Sequence, residues 1–230
     1  AILTPLANIL GRQFRLLDVP WGRRRHTDGT PRIGGLGVFV GFATASGVAY
    51  FAAPLDNPDD ALRVTGLLIG CSFVFVVGLL DDWLELRSAP QLAAQFVAVL
   101  IAMSTTIFIE RFTNPLDNQI VELHRWPLVG HVLVFTFTTF WIMGMMNTIN
   151  WLDGLDGLAV GVGAIAAILF AVHMRSLGQP QIAIYALALA GACLGFLPFN
   201  FSPARVFLGS AGAMVLGYAL ATLSILAPAR

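Results

Sequence analysis

The chain has 230 residues, of which 57% are hydrophobic and only 11% are charged, and its formal net charge is zero. Soluble domains carry about 25% charged residues, so this composition indicates an integral membrane protein. The balanced charge excludes an overall basic surface for nucleic acid. The two cysteines, Cys71 and Cys193, lie inside apolar runs and exclude a disulfide framework or a CxxC metal motif.

Apolar runs that are long enough, or nearly long enough, to cross a bilayer follow one another along the chain. Residues 1–10 look like the end of a spanning helix whose beginning is missing, so we expect a truncated chain. Seven further runs cover residues 35–54, 62–80, 90–109, 128–149, 158–173, 181–199 and 206–228. The sequence therefore predicts an all-α, polytopic membrane protein, with one transmembrane domain over residues 1–230 and about eight helices.

The segments between these runs alternate between the two sides of the membrane. Residues 11–34, 81–89, 150–157 and 200–205 share one side, which holds eight arginines against five on the other side. The positive-inside rule makes the arginine-rich side cytoplasmic. On the opposite side, a Pro-Leu-Asp-Asn turn before QIVEL predicts a small external hairpin within residues 110–127.

Every unusual polar cluster falls on the predicted cytoplasmic side, and the first is RRRHTDGTPRIGG. Arg23, Arg24, Arg25, His26 and Arg32 precede a glycine pair that opens a helix. Arginine binds phosphate oxygens in a fork geometry, and helix N-termini favour anions. The alternative for the three consecutive arginines is an anchor beside anionic lipid.

The second cluster is GLLDDWLELRSAPQLAAQ, in which Asp81 and Asp82 are adjacent at a helix end and Glu85 follows within one turn. Adjacent carboxylates repel each other unless a cation or a proton lies between them. Mg²⁺ takes one or two carboxylates and leaves its other positions to water and phosphate oxygens. One carboxylate could instead serve as a general base, and the plain alternative is a solvated loop.

The third cluster is NTINWLDGLDGL, in which Asn147, Asn150, Asp153 and Asp156 recur every three residues. On a helix this spacing places the side chains on one face, whereas the two Asp-Gly pairs favour a turn. Amides at such positions could bind a base or ribose, and carboxylates could bind a metal. A plain polar loop is the alternative interpretation.

The fourth cluster is GFLPFNFSPARVFLGSAGAM, where Asn200 and Arg205 are polar positions among phenylalanines that include Phe207. Aromatic rings can stack on a nucleobase. The alternative is a belt of aromatic residues at the membrane interface.

Four motifs in this order resemble the polyprenyl-phosphate N-acetylhexosamine-1-phosphate transferase family: HTDGTPRIGG, GLLDDWLELRSAPQLAAQ, NTINWLDGLDGLA and LPFNFSPARVFLG. The resemblance implies about ten spanning helices of about 20 residues each. It also implies transfer of a sugar-1-phosphate from a UDP-sugar to a polyprenyl phosphate, with Mg²⁺ and with release of UMP. The forms GTPRIGG and NTINWLDGLDGL resemble the branch that uses UDP-N-acetylglucosamine more than the phospho-N-acetylmuramoyl-pentapeptide branch.

The resemblance assigns roles by position. It makes Asp81 and Asp82 the catalytic acidic pair. It implies metal ligands at Asp82, Asp153, Asp156 and position 210. The substrate contacts that we expect are Arg23, Arg24, Arg25, His26, Arg32, Asn147, Asn150, Asp156, Asn200, Arg205 and Phe207.

Two features depart from the family pattern. Ser210 stands in LGSAG where the family has an aspartate, and a neutral serine predicts weaker metal binding and lower turnover. On this hypothesis the chain is an engineered inactive form or a natural variant with impaired catalysis. The family's histidine-rich loop further downstream is absent from the sequence.

The expected partners are UDP-N-acetylglucosamine, undecaprenyl or decaprenyl phosphate, and membrane lipid. Mn²⁺ in place of Mg²⁺ and a homodimer are both compatible with the sequence. We predict a multi-pass protein of the inner membrane whose site faces the cytoplasm and serves the first membrane step of a cell-envelope glycan pathway. The alternatives are a muramoyl-pentapeptide donor, a catalytically silent binding variant and a transporter. A transporter would place its acids near the membrane midplane, whereas the acids here lie at helix ends.

Overall fold

The computed structural model describes residues 17–18, 30–113, 119–126 and 128–227. The predicted helix at residues 1–10 and the predicted phosphate-binding residues Arg23, Arg24, Arg25 and His26 lie outside the described residues.

Seven α-helices make up most of the described chain, and the predicted all-α fold is confirmed. Their bounds are α1 Gly35–Ala52, α2 Pro58–Leu84, α3 Ser88–Ser104, α4 Val129–Leu152, α5 Leu158–Ser176, α6 Pro180–Asn200 and α7 Gly209–Leu226. All except α3 are long and apolar enough to span a membrane, which gives six candidate spans among the described residues. The predicted number of eight is therefore not confirmed.

Local sequence signals explain the bounds of α2. Asn57 caps its start, because its side-chain Oδ1 accepts a hydrogen bond of 3.0 Å from the Asp59 backbone N–H, and Pro58 occupies the first helical position. The helix ends where Glu85 adopts a left-handed conformation with φ of 48°. This abrupt end holds Asp81 and Asp82 in the last turn.

Two short antiparallel ribbons accompany the helices. Strand β1 (Leu17–Asp18) pairs with β2 (Thr30–Pro31), and β3 (Arg111–Thr113) pairs with β4 (Ile120–Glu122). The second ribbon continues into a 3₁₀ turn at Leu123–Arg125. The hairpin predicted within residues 110–127 is thus present, while the residues of its turn lie outside the described residues.

Helix α7 forms the centre of the bundle, with 89% of its span buried. Small residues allow its neighbours to approach it closely: a Cβ at Gly78 of α2 would overlap the backbone of Ala211, and a Cβ at Gly217 would overlap the backbone of Met146 on α4. Close approach through small residues is the usual way that helices pack in lipid. The first turn of this enclosed helix lies where the C-terminal ends of α2 and α4 meet the start of α1.

Candidate active site

Two carboxylates from distant parts of the chain bind the first backbone N–H groups of α7. Asp82 accepts hydrogen bonds from the Ser210 and Ala211 N–H groups at 2.8 and 3.0 Å. Asp153, which follows the last residue of α4, accepts one from the Gly209 N–H at 3.1 Å. A helix N-terminus carries unsatisfied donors and a partial positive charge, so it attracts anions. The second, third and fourth motifs therefore meet at the start of α7.

The charge on Asp153 is only partly compensated. Burial raises the pKa of Asp153 from 3.8 to about 7, and the nearby charge of Asp82 raises it further, against the lowering effects of the Gly209 N–H and the Arg32 guanidinium. An anionic Asp153 would therefore be stabilised by an additional cation.

The end of the first motif reaches the same place through backbone hydrogen bonds. The Phe207 N–H donates to the Pro31 carbonyl at 2.8 Å, and the Gly34 N–H donates to the Phe207 carbonyl at 2.9 Å. A Cβ at Gly34 would overlap the Phe196 ring, and one at Gly209, whose φ is 75°, would overlap the Arg32 carbonyl. The close approach that the glycine pair permits is therefore to the protein's own residues, and it brings Arg32 to the start of α7.

A further set of contacts joins the third motif to the fourth. Asn200 is buried; its Oδ1 accepts from the Gly157 N–H at 3.1 Å and its Nδ2 donates to the Val206 carbonyl at 3.1 Å. Asp156 accepts from the Ala204 N–H at 3.1 Å. Asn200 and Asp156 thus hold the two loops together, a role that the sequence did not predict.

The adjacent acids Asp81 and Asp82 face different partners. Asp81 is buried, and its Oδ1 accepts from the Leu86 N–H at 3.1 Å and from the Gln91 Nε2 at 2.6 Å. Asp81 thus holds the turn between α2 and α3, whereas Asp82 contacts α7. The structure separates two residues that the sequence treated as one pair.

Asn147 pairs with a residue that sequence reasoning missed. Its Nδ2 donates to the Oε1 of the buried Gln95 at 2.7 Å, and the Gln95 Nε2 donates back to the Asn147 Oδ1 at 3.3 Å. This amide pair joins α3 to α4 one and a half turns before the Asp153 end. A glutamine on the buried face of an apolar helix is the sequence signal that could have identified it.

The remaining predicted residues lie in the segments that lead to this centre. Asn150 lies half-buried in the last turn of α4, Phe207 is half-buried beside Pro31, and Arg205 is exposed on the loop before α7. Ser210 is half-buried, and its backbone binds Asp82. Within the described residues, no three or more His, Cys, Asp or Glu side chains are arranged to hold a metal ion, so Asp82, Asp153 and Asp156 do not form a three-acid cage.

Comparison with known proteins decides the family. The profile of glycosyl transferase family 4 matches residues 64–227, which include three of the four motifs. The chain belongs to glycosyl transferase family 4. The resemblance drawn from the four motifs is thereby confirmed.

Several relatives of this family 4 chain align over most of its length. It is 32% identical over 228 residues to a probable undecaprenyl-phosphate N-acetylglucosaminyl 1-phosphate transferase of Bacillus subtilis, covering 98% of the chain and 59% of the relative. It is 32% and 35% identical to phospho-N-acetylmuramoyl-pentapeptide-transferases of Staphylococcus epidermidis and Alkaliphilus oremlandii. These matches cover 86% and 89% of the chain, and 62% and 65% of the relatives. The chain thus spans about three fifths of the length of the relatives it matches.

Proposed function

We propose that this chain transfers N-acetylglucosamine-1-phosphate from UDP-N-acetylglucosamine to a polyprenyl phosphate at the cytoplasmic face of the inner membrane and releases UMP. The observation that carries the proposal is the meeting of Asp82, Asp153 and Arg32 at the start of α7. The family and the Bacillus subtilis relative support the reaction class and the sugar. The six candidate spans support a multi-pass membrane protein.

The reaction joins two anions, so the site has to neutralise charge before they can approach each other. An oxygen of the lipid phosphate forms a bond to the sugar-side phosphorus, the bond from that phosphorus to the UMP oxygen breaks, and UMP leaves with the electron pair. Positioning and electrostatic stabilisation supply most of the catalysis in such transfers. Arg32 and the partial positive charge of the first turn of α7 are the positive groups that act on Asp82 and Asp153, and Arg87 and Arg205 lie in neighbouring segments at the same end.

Asp82 and Asp153 fit a magnesium ion. Mg²⁺ needs only one or two carboxylates because waters and substrate phosphates fill its other positions, so a three-acid cage is not required. The two carboxylates Asp82 and Asp153 meet at one helix turn, and burial raises the pKa of Asp153 to about 7, so a cation between them is favoured. When bound, Mg²⁺ would neutralise the diphosphate of the donor.

The other residues of the site position these groups. Asp81 fixes the turn that follows Asp82, and Gln95 with Asn147 fixes the end of α4 that precedes Asp153. Asn200 and Asp156 hold the loop that carries Arg205. We place the uridine beside this loop, where the half-buried Phe207 could stack on a nucleobase.

Ser210 sets the expected level of activity. A carboxylate at this position would be a third anionic metal ligand, in addition to Asp82 and Asp153. It would lie beside Asp82, whose Oδ1 accepts a hydrogen bond from the Ser210 N–H at 2.8 Å. We therefore expect Ser210→Asp to increase Mg²⁺-dependent UMP release, and the uncharged Ser210→Asn to leave it at the parent level. Equal rates for all three proteins would refute this role of position 210.

A muramoyl-pentapeptide donor is the second candidate, because the Staphylococcus epidermidis and Alkaliphilus oremlandii relatives bear that name. The two donors should be offered separately to the Ser210→Asp protein with polyprenyl phosphate, and the lipid product and UMP measured together. Product from UDP-N-acetylglucosamine alone supports the proposal. Product from the muramoyl donor alone would replace it, and UDP-sugar binding without product from either donor would identify a silent binding protein.

A further inference from the structure

A cavity of about 610 Å³ lies at the end of the bundle opposite the start of α7. Arg63 near the start of α2, Glu110 and Arg111 after α3, and Leu226 at the end of α7 line it. We propose that this cavity binds one zwitterionic glycerophospholipid, with its phosphate at the two arginines, its ammonium group at Glu110 and an acyl chain along α4. The proposal is independent of the transferase reaction.

The polarity of the lining changes with depth as it does along a phospholipid. The charged residues lie near the start of α2 and in the segment after α3, whereas Phe137, Phe140 and Trp141 on α4 lie 8 to 12 residues beyond Val129. At 1.5 Å per residue these rings are about 12–18 Å along the helix axis. They are 44%, 74% and 41% exposed, so the apolar wall is open on the side that faces lipid. An acyl chain is the occupant that matches a long apolar wall below a charged entrance.

The polar N–H group of Trp141 in that wall is satisfied within the protein. The Trp141 indole N–H donates to the Ser224 Oγ at 2.8 Å. An unpaired N–H in hydrocarbon would be unfavourable, and this bond satisfies the only donor of the indole ring. The ring can therefore contact an acyl chain through its carbon atoms.

The entrance holds an arginine that is fixed in place. The Arg63 Nε donates to the Thr106 Oγ1 at 3.3 Å, and its Nη1 lies 3.6 Å from the Asp60 Oδ1. A guanidinium has five N–H donors in a planar fork that suits a phosphate, so these two contacts do not exhaust it. Arg63 is thus pre-positioned to bind a phosphate oxygen.

The presence of both charge signs at the entrance selects a zwitterionic headgroup. Glu110 is exposed and directly precedes Arg111, and its backbone carbonyl accepts a hydrogen bond from the Leu123 N–H at 2.8 Å. A purely anionic headgroup would meet repulsion from Glu110, whereas the ammonium group of phosphatidylethanolamine would be attracted to it. Charge complementarity therefore favours phosphatidylethanolamine over phosphatidylglycerol.

Native mass spectrometry of the purified protein tests the proposal by counting retained lipids after exposure to phosphatidylethanolamine or phosphatidylglycerol. We expect one retained phosphatidylethanolamine per chain. Arg111→Gln should weaken its binding about tenfold, the effect of one charge-assisted hydrogen bond. Glu110→Gln should remove the preference for phosphatidylethanolamine. Arg175→Gln is the matched control, because Arg175 is exposed at the same end of the bundle and does not line the cavity.

A second pair of variants tests the acyl-chain wall. Phe140→Ser should lower lipid retention, whereas Leu169→Ser, at an exposed position of α5 outside the cavity, should not. Melting curves recorded in detergent exclude variants that fail to fold. Any one of four results would overturn the proposal: equal retention by all variants, a preference for phosphatidylglycerol, displacement of the lipid by polyprenyl phosphate, or no retained lipid.

Discussion

Replacing Asp82 by asparagine should destabilise the protein, because both carboxylate oxygens of Asp82 are in use. They accept from the Ser210 and Ala211 N–H groups at 2.8 and 3.0 Å. An asparagine offers one oxygen and turns its NH₂ group toward the other N–H. The loss of one charge-assisted hydrogen bond costs about 1.5–3 kcal/mol, and removal of the negative charge near Asp153 offsets part of it. We expect a net destabilisation of about 1–3 kcal/mol.

The same substitution at Asp153 should have the opposite sign. Asp153 accepts a single hydrogen bond, from the Gly209 N–H at 3.1 Å, and an asparagine oxygen can accept it equally well. The charge that is removed is unfavourable, because burial raises the pKa of Asp153 to about 7. One pKa unit corresponds to ~1.4 kcal/mol. With screening of this partly exposed group, Asp153→Asn should stabilise the metal-free protein by about 1–3 kcal/mol at pH 8.

Equilibrium unfolding in mixed detergent and SDS micelles, with a chelator present, measures both variants in one assay. Asp156→Asn is the matched control, since Asp156 also accepts one backbone hydrogen bond, from Ala204. If Asp82→Asn is as stable as the parent protein, or if Asp153→Asn is the less stable of the two, the assignment of these carboxylates to the start of α7 is wrong.

Three further predictions concern the titration of Asp153, the packing of α1 on α7 and the Gln95–Asn147 pair. The folded-state pKa of Asp153 is raised from 3.8 to about 7, so between these values the folded protein binds more protons than the unfolded chain. The free energy of unfolding, measured without divalent cations, should therefore fall as the pH rises from about 4 to about 7. The Asp153→Asn protein should lack this slope. Gly35→Ala would force a Cβ into the Gly212 backbone and should destabilise the protein by about 1–3 kcal/mol. Gly47→Ala is the control and should have no such effect, because a Cβ at Gly47 would have no atom within 4 Å. Equal melting curves for the two variants would contradict this packing. Gln95→Leu removes the partner of Asn147 on the neighbouring helix and should destabilise the protein by about 1–3 kcal/mol. The unfolding titration in SDS would detect this loss. An unchanged stability would show that the amide pair is dispensable.

Hydropathy and alternation of sides were sufficient to predict which motifs meet. On the prediction that each apolar run, including residues 90–109, crosses the bilayer once, the end of α2, the end of α4 and the start of α7 fall on the same side. The roughly 70 and 130 residues that separate Asp82 from Asp153 and Ser210 then impose no obstacle to contact. A membrane-spanning helix is indicated by a long apolar segment, so most predicted runs coincide with helices of the structure. The exact ends of the helices are less predictable and differ from the predicted bounds.

The direction of individual side chains could not be predicted in the same way. Asp81 and Asp82 are neighbours in an acidic pair, yet successive residues on a helix point about 100° apart and here reach α3 and α7 respectively. The Gln95–Asn147 pair depends on the distance between α3 and α4, which no local pattern encodes. The glycine pair at the end of the basic motif serves close packing, since a Cβ at Gly34 or Gly35 would overlap Phe196 or Gly212. The lack of a Cβ would equally suit close approach to a phosphate, so the sequence alone does not distinguish the two uses.

The enclosure of α7 explains how two carboxylates are held at its first turn. Gly78 and Gly217 allow α2 and α4 to contact the α7 backbone directly, so the first turn of α7 cannot move away from either helix without opening the core. Its N–H groups therefore keep fixed positions for Asp82 and Asp153. A substrate diphosphate and a cation would then meet carboxylates that are already oriented, so that little of their binding energy is used to assemble the site.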